Sequence, residues 1–328
     1  MKVVFFDVSE LEEKKINDFA EKNKEINIKI NRSDVNSAQA DDYSADVISV
    51  FINSRLRKET LDKFANLKLI LTRSTGFDHI DIDECKRRGI KVCNVPDYGD
   101  RTVAEFTFLL ILSLLRGINL NRRGEANTMP GSELNGKTIG IIGAGRIGTI
   151  VAQIAKAFEM RILYDSHRNN QLIDSIGGVK VELEELLNSS DIVTLHVPLT
   201  KETYHLINKD NINQMKRGSY LINTSRGAVV DTEAIINGIE SKTLAGAALD
   251  VIEGEEFAGK EMEIIRKGES YDTIKLALED SILKRYNNVI LTPHIAYNTN
   301  EALERIIDET LENLSGMLKD SGLRNVVC

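Results

Sequence analysis

Three short stretches bring an arginine, acids and a histidine to places where a plain scaffold needs none of them. They are Asn-Thr-Ser-Arg-Gly at 223–227, Ala-Leu-Asp-Val-Ile-Glu-Gly-Glu at 248–255 and Thr-Pro-His-Ile-Ala-Tyr at 292–297. Each follows or completes an apolar run that reads as a buried strand. Taken singly, each has an ordinary structural explanation. Arg226 could be a surface arginine at a strand-to-loop turn, Glu255 one acid in the acid-rich stretch 253–261, and His294 a histidine capping a strand. Together, at the edge of a sheet where open α/β folds bind ligands, they are the residue types of acid-base chemistry on a small bound molecule.

A nucleotide fits beside them. Thr138 to Asp165 reads as strand, glycine turn, helix and second strand, with Gly143, Gly145 and Gly148 in the spacing G-x-G-x-x-G where the period changes from strand to helix. Gly143 allows the tight turn, Gly145 lets the backbone approach a pyrophosphate, and Gly148 lets the helix pack against the strand. The phosphates would sit at the helix N-terminus. Asp165 closes the next apolar run, about twenty residues on, where the acid that accepts from the ribose 2′-hydroxyl belongs, so NAD is expected over NADP. Arg168 follows closely and could serve a 2′-phosphate instead.

The elements that must position these groups alternate along the chain. Strand signals fall at residues 2–8, 26–30, 46–51 and 67–71, with helices at 10–24 and 57–65. A short strand at 90–95 ends at Pro96 and an apolar helix runs from Arg101 to Arg116, while Pro130 lies in the polar stretch 119–135; the two prolines bracket a crossover. After Asp165 the alternation resumes, with helices near 183–187, 212–215 and 231–239 and strands at 191–197, 219–223, 244–249 and 289–292. Pro198 and Pro293 end two of these strands beside His196 and His294. The expected fold is α/β: two doubly wound, Rossmann-like parallel-sheet domains with a cleft between them. A discontinuous substrate-binding domain takes residues 1–99 and 297–328, and the NAD-binding domain takes 100–296, because the last helix, 301–318, has room to return to the first sheet. Residues 253–286 break the rhythm as a charged, helix-favouring insertion.

At 328 residues, 42% hydrophobic and 28% charged, the chain has the composition of a globular protein with room for two domains. A formal net charge of −8 argues against nucleic acid and anionic membranes as partners. Three cysteines and five histidines show no metal-ligand spacing, so no metal is expected, and a reducing, cytoplasmic location fits best. Met1 to Glu10 meets an acid at Asp7 and lacks a cleavage site, and the apolar stretch 103–115 is too short to span a bilayer.

Beyond these local readings, the chain resembles the D-2-hydroxyacid dehydrogenase family, and within it the D-lactate dehydrogenase branch. The resemblance rests on TRSTGFDHID (72–81), NVPDYGDRTVAEFT (94–107), GKTIGIIGAGRIG (136–148), LHVPLTKETYHLIN (195–208), LINTSRGAVVD (221–231), AALDVIEGE (247–255) and LTPHIAY (291–297). It implies that Arg226 holds the substrate carboxylate and carbonyl, that Glu255, five residues after Asp250, is the catalytic acid, and that His294 exchanges the proton. It also implies that backbone N–H groups of Thr75 and Gly76 bind the carboxylate, and that Tyr98 lies over the substrate. The cofactor would be lined by Gly143, Gly145, Arg146, Ile147, Gly148, Asp165, His196, Val197, Pro198, Thr203, Thr224, Ser225, Arg226, Asp250, His294 and Ala296, with Asp250 taking the nicotinamide carboxamide. Two departures touch Glu255: Glu256 stands where many members have proline, and the insertion at 256–287 separates it from His294.

The expected reaction is reduction of a 2-oxo acid by NADH, with His294 as imidazolium protonating the carbonyl oxygen, Glu255 favouring that charged form and Arg226 stabilising the alkoxide. Pyruvate is the expected substrate: the loops at 49–55 and 73–80 offer Asn53 and, as cations, only Arg55 and Arg73, too few to argue for a phosphate-bearing one. A 3-phosphoglycerate or D-2-hydroxyisocaproate type of enzyme is the alternative, and a non-catalytic NAD-sensing co-repressor the alternative of another class. The helix 101–116 is apolar on more than one face, which suggests burial beyond its own domain, and the resemblance implies that it packs across a two-fold axis in a homodimer.

Overall fold

The computed structural model describes residues 1–118, 130–257, 260–319 and 321–328. The polar stretch 119–135 is therefore described only from Pro130, and the insertion lacks residues 258 and 259. The chain divides into two compact units, Met1–Gly99 with Asn298–Cys328, and Asp100–Tyr297.

The first unit carries a five-stranded parallel sheet in the order β2-β1-β3-β4-β5, formed by β1 (Lys2–Phe5), β2 (Asn27–Ile30), β3 (Val47–Val50), β4 (Leu69–Thr72) and β5 (Lys91–Cys93). The inner strands β3 and β4 are buried on both faces, as expected of parallel strands covered by helices. Helix α1 (Glu10–Lys22) starts at a capping box in which Ser9 and Glu12 satisfy one another's backbone donors. Two expectations run long here. β1 stops at Phe5 rather than residue 8 because Asp7 takes a left-handed φ of 54°, and α2 covers only Lys58–Leu61 of the expected 57–65. Helix α3 (Ile82–Arg88), capped by Asp81 and closed by the left-handed Gly89, was not anticipated; its seven residues are too few for a clear helical period.

Arg73 is the first unit's fixed point. Its side chain is fully buried; its two Nη atoms donate to Ser49 Oγ (2.9 Å) and to the carbonyls of Phe6 (2.6 Å) and Asp7 (2.9 Å). Its Nε lies 2.8 Å from Glu12 Oε1, and Glu12 is itself buried. One guanidinium thus joins the ends of β1, β3 and β4 to the first turn of α1, and Arg73 is no substrate-side cation.

The second unit carries seven parallel strands: β6 (Thr138–Ile142), β7 (Arg161–Asp165), β8 (Val179–Lys180), β9 (Ile192–Leu195), β10 (Ser219–Asn223), β11 (Leu244–Leu249) and β12 (Val289–Leu291). Their order is β12-β11-β10-β9-β6-β7-β8, so the direction of winding reverses beside β6, where ligands bind in open α/β sheets. Helix α4 (Asp100–Leu115) packs on this sheet with the helix after β6, α5 (Arg146–Ala157). Further helices are α6 (Gln171–Ser175), α7 (Leu183–Ser189), α8 (Thr232–Glu240), α9 (Glu261–Lys267), α10 (Tyr271–Leu283) and, in the first unit, α11 (Asn300–Leu318). The expected helix near 212–215 is a single 3-10 turn at Ile212–Gln214. No helix among the described residues is long and apolar enough to cross a membrane.

Removing Arg73 leaves Glu12 buried without its cation. Arg73→Leu is expected to destabilise the first unit by about 3–5 kcal/mol, the usual cost of breaking a buried pair. Urea unfolding checks this against Arg324→Leu, which breaks a pair with Glu312 that is exposed on both sides. Equal midpoints for the two variants would show that Arg73 is not a clamp.

Candidate active site

The carboxyl ends of β10, β11 and β12 lie side by side in register, Asn223 against Leu249 and Leu249 against Leu291. The turns that follow therefore emerge together, and they carry Arg226, Glu255 and His294. After β10, Asn223 shapes the turn: its Oδ1 accepts from Ser225 N (3.0 Å) and Ser225 Oγ (2.8 Å), while its Nδ2 donates to the Arg226 carbonyl (2.9 Å). Thr224 shares a 3.2 Å hydrogen bond with Thr107 of α4. Gly227 then packs so closely on the next turn that a Cβ would stand 2.1 Å from the carbonyl of Ile252. Any side chain there would push the arginine turn off the glutamate loop.

After β11, Asp250 is buried, and its carboxylate accepts from Thr292 Oγ1 (2.5 Å), Ile295 N (2.9 Å) and Ala296 N (2.8 Å). Its carbonyl accepts from His294 N (3.0 Å). His294 sits at a left-handed φ of 53°, so the turn that presents it is wound around one buried carboxylate. Glu255 opens a 3-10 turn, Glu255–Phe257, and its Oε1 lies 3.2 Å from His294 Nδ1. A carboxylate only accepts, so Nδ1 carries the proton and Nε2 is the nitrogen left for a substrate. The Glu255 side chain is 45% exposed, and so open a pair adds little to stability.

The nucleotide groups are in the same unit. Gly143 has φ 97°, and a Cβ on it would stand 2.5 Å from the carbonyl oxygen of His196; one on Gly148 would stand 2.1 Å from that of Gly143. A Cβ on Gly145 would meet nothing within 4 Å, so this glycine leaves an open face at the N-terminus of α5, whose first N–H groups have no side-chain cap. Asp165 ends β7 half-buried, and burial, with Glu182 nearby, pushes its carboxyl up from the usual range. These features fit a dinucleotide: an uncapped helix end for phosphates and an acid at the ribose position.

The remaining expected cofactor residues make contacts within the same unit. Arg146 Nε donates to Asp100 Oδ2 (2.8 Å), and Thr203 Oγ1 donates to the Pro198 carbonyl (2.6 Å), closing the turn after β9. Ile147 packs on the core of the unit, Val197 lies against Gly143, and Ala296 is buried on Asp250. In the first unit, Thr75 is exposed at a turn pinned by its hydroxyl to the carbonyls of Val95 and Pro96 (3.0 Å each), and Asn94 Nδ2 donates to the Thr75 carbonyl (2.8 Å). Gly76 takes a bond from Ser74 Oγ on its carbonyl, and Tyr98 is buried with its carbonyl bound by Arg305. Sequence reasoning missed Thr292 and the structural use of Asp250; a threonine two residues before the histidine was the one available signal. Among the described residues no cluster of histidine, cysteine, aspartate and glutamate could hold a metal ion.

A family model described as D-isomer specific 2-hydroxyacid dehydrogenase, NAD binding domain, matches residues 108–296. The chain is 40% identical over 286 residues to a glyoxylate reductase of Thermofilum pendens, covering 84% of this chain and 78% of that protein. It is 39% identical over 286 residues to the D-lactate dehydrogenase kk1H of Curvularia clavata, covering 84% and 79%. Among solved structures, the D-lactate dehydrogenase from Aquifex aeolicus complexed with NAD and lactic acid is similar with a TM-score of 0.84 at 39% identity, covering 97% of this chain and 96% of that one.

His196 gives the unit a measurable pH response. Burial pushes its imidazole down to about 3; Nε2 is 3.0 Å from Thr194 Oγ1, and Nδ1 has no partner among the described residues. In the unfolded chain it would titrate near ~6.5. Its contribution is therefore complete above that pH and is lost as pH falls from there toward 3, because only the unfolded chain takes up the proton. The urea midpoint of the wild type is expected to fall more steeply between pH 6.5 and 5 than that of His196→Gln. Parallel slopes would mean that this imidazole is solvated.

Proposed function

This chain belongs to the D-isomer specific 2-hydroxyacid dehydrogenase family, NAD-dependent oxidoreductases, and from that premise we propose that it reduces a small 2-oxo acid, pyruvate foremost, to the D-2-hydroxy acid. The observation that carries the reading is the Glu255–His294 pair, held at 3.2 Å on strand ends in register with the Arg226 turn.

When bound, the nicotinamide supplies the hydride. Arg226 presents a planar guanidinium that suits the carboxylate and carbonyl of a 2-oxo acid bidentately, and it neutralises charge growing on the carbonyl oxygen. His294 donates the proton to that oxygen from Nε2, and Glu255 keeps the ring turned by holding Nδ1–H. In the first unit, the N–H groups of Thr75 and Gly76 and the side chain of Tyr98 are the expected substrate contacts. Gly143, Gly145, Gly148 and Asp165 would hold the pyrophosphate and ribose, with Thr203, Thr224 and Ala296 along the cofactor. The names of these two relatives point to 2-oxo acids that differ by one methyl group, glyoxylate for one and pyruvate, the oxidised partner of lactate, for the other. A methyl in an apolar pocket is worth roughly 1–3 kcal/mol of discrimination. The likeness to the lactate-bound structure over 97% of the chain favours pyruvate, and the 40% identity to a glyoxylate reductase favours glyoxylate as the second reading. The three free thiols suit a reducing, cytoplasmic location. Helix α4 presents Leu109 to solvent beside the half-buried Phe106 and Leu112, which supports a homodimer through this helix.

Turnover with NADH across pyruvate, glyoxylate, 2-oxoisocaproate and 3-phosphohydroxypyruvate tests the substrate. Pyruvate is expected to give the highest kcat/KM; another acid better by more than about 10-fold, ~1.4 kcal/mol, removes the lactate reading and leaves the family. In the same assay His294→Ala is expected to lose several orders of magnitude in kcat with NADH affinity little changed. Equal turnover would take His294 out of the mechanism. A monomeric mass by light scattering at micromolar concentration would reject the dimer.

A further inference from the structure

Glu253 and Glu255 flank Gly254, whose φ of +70° turns the chain sharply between them. The two carboxylates consequently reach different histidines. Glu255 Oε1 is 3.2 Å from His294 Nδ1, and Glu253 Oε2 is 2.9 Å from His205 Nε2. The inner acid is the better shielded, with 13% of its side chain exposed against 45% for Glu255. Less screening by water and salt makes the inner pair the firmer of the two.

His205 is also tied to the arginine turn. At a left-handed φ of 49°, its N–H donates to the Ala228 carbonyl (2.9 Å), and the pairing continues from Ile207 N to the Val229 carbonyl (3.2 Å) and from Asp231 N back to the Ile207 carbonyl (2.9 Å). That zipped segment begins two residues after Arg226, where Gly227 meets the Ile252 backbone. Tyr204 adds a second hold: its ring stacks on His205 at 4.0 Å and its hydroxyl donates to Glu253 Oε1 at 3.4 Å. From the other side Leu276 of α10 packs against Gly254. His205 therefore touches, through its backbone, the segment that carries Arg226 and, through its ring, the loop that carries Glu255.

We infer that His205 and Glu253 are a positioning pair that holds Glu255 against His294 and locks its loop to the Arg226 turn. The inference rests on the reading of Glu255 as the acid that orients His294. Neither residue needs to meet substrate or cofactor; the pair acts through the Gly254 pivot, so its loss loosens one carboxylate while the nucleotide turn and the arginine stay in place.

Steady-state kinetics of the full chain with NADH and pyruvate test it. His205→Asn removes the reach of the imidazole and keeps a residue that tolerates the left-handed backbone, so the bond to Ala228 survives. It is expected to lower kcat about 10-fold with KM for pyruvate and NADH affinity within about 2-fold, the signature of a loss felt in the transition state rather than in binding. Glu253→Ala should match it, Glu253→Gln should recover most of the rate through a remaining hydrogen bond, and the double variant His205→Asn, Glu253→Ala should be no slower than either single one, as for two halves of one interaction. Wild-type kcat in both single variants, or a fall in kcat with no recovery in Glu253→Gln, overturns the pair. Glu255→Gln separates the two readings: if it keeps wild-type kcat, the role of Glu255 itself falls, whereas a slow Glu255→Gln beside an unaffected His205→Asn removes the positioning pair alone. Should His205→Asn fail to fold, the comparison of Glu253→Ala with Glu253→Gln decides the same question.

Discussion

The buried carboxylate of Asp250 is the interaction on which the site depends. A parallel sheet leaves the N–H groups just beyond its strand ends without ladder partners, and buried donors of that kind must find acceptors. Asp250 supplies them to Ile295 and Ala296 and takes the Thr292 hydroxyl as well. A histidine in the left-handed region costs roughly 1–2 kcal/mol and persists only where its surroundings over-determine it. Here that carboxylate fixes the residues on either side of His294, while the Asp250 carbonyl accepts from His294 N itself. The family resemblance also gives Asp250 the nicotinamide carboxamide, and the two uses are compatible: a carboxylate has about four lone-pair sites, and three donors leave one.

Arg73 solves the corresponding problem in the first unit with the opposite charge. A buried guanidinium is costly to desolvate unless its donors are satisfied, and Ser49, Phe6, Asp7 and Glu12 surround it. Read along the chain, Arg73 stands in a turn beside the expected carboxylate-binding residues and looks like one more cation for the substrate. In three dimensions its side chain runs back under β1 and β3, away from Thr75. Position at a strand end thus told where the residue lies but not which way it faces.

The alternation of strands and helices was legible because parallel strands covered on both faces read as continuous apolar runs. β10 and β11 fall on the expected residues, and β9, Ile192–Leu195, is shorter than the expected 191–197 by one residue at its start and two before the turn to Pro198. What escaped notice was short or polar: α3, α6 and the two-residue β8, each below the length at which a period can be seen. The same limit applies to the site. Arg226, Glu255 and His294 stood out as unusual residue types at strand ends, and the glycine motif by its spacing. The link between His205 and Glu253 did not, since nearly fifty residues separate them and each has neighbours in sequence that suggest nothing.

The interrupted first unit has a consequence for the order in which the molecule can be made. Val3, Phe5, Ile16, Val47 and Leu71 share one apolar cluster with Ile307 and Leu314 of α11, and Cys93 at the sheet edge pairs with Val326. A ribosome delivers β1 to β5 long before it delivers those partners, and in between it delivers the whole of the second unit, which is continuous. Domains close as their contacts become available, so the later-encoded unit can finish while the earlier one still exposes the face that α11 covers. For that interval the nascent chain carries an uncovered parallel sheet, the kind of surface that calls for chaperone protection, and Lys15 waits for Asp308 across almost the full length of the message.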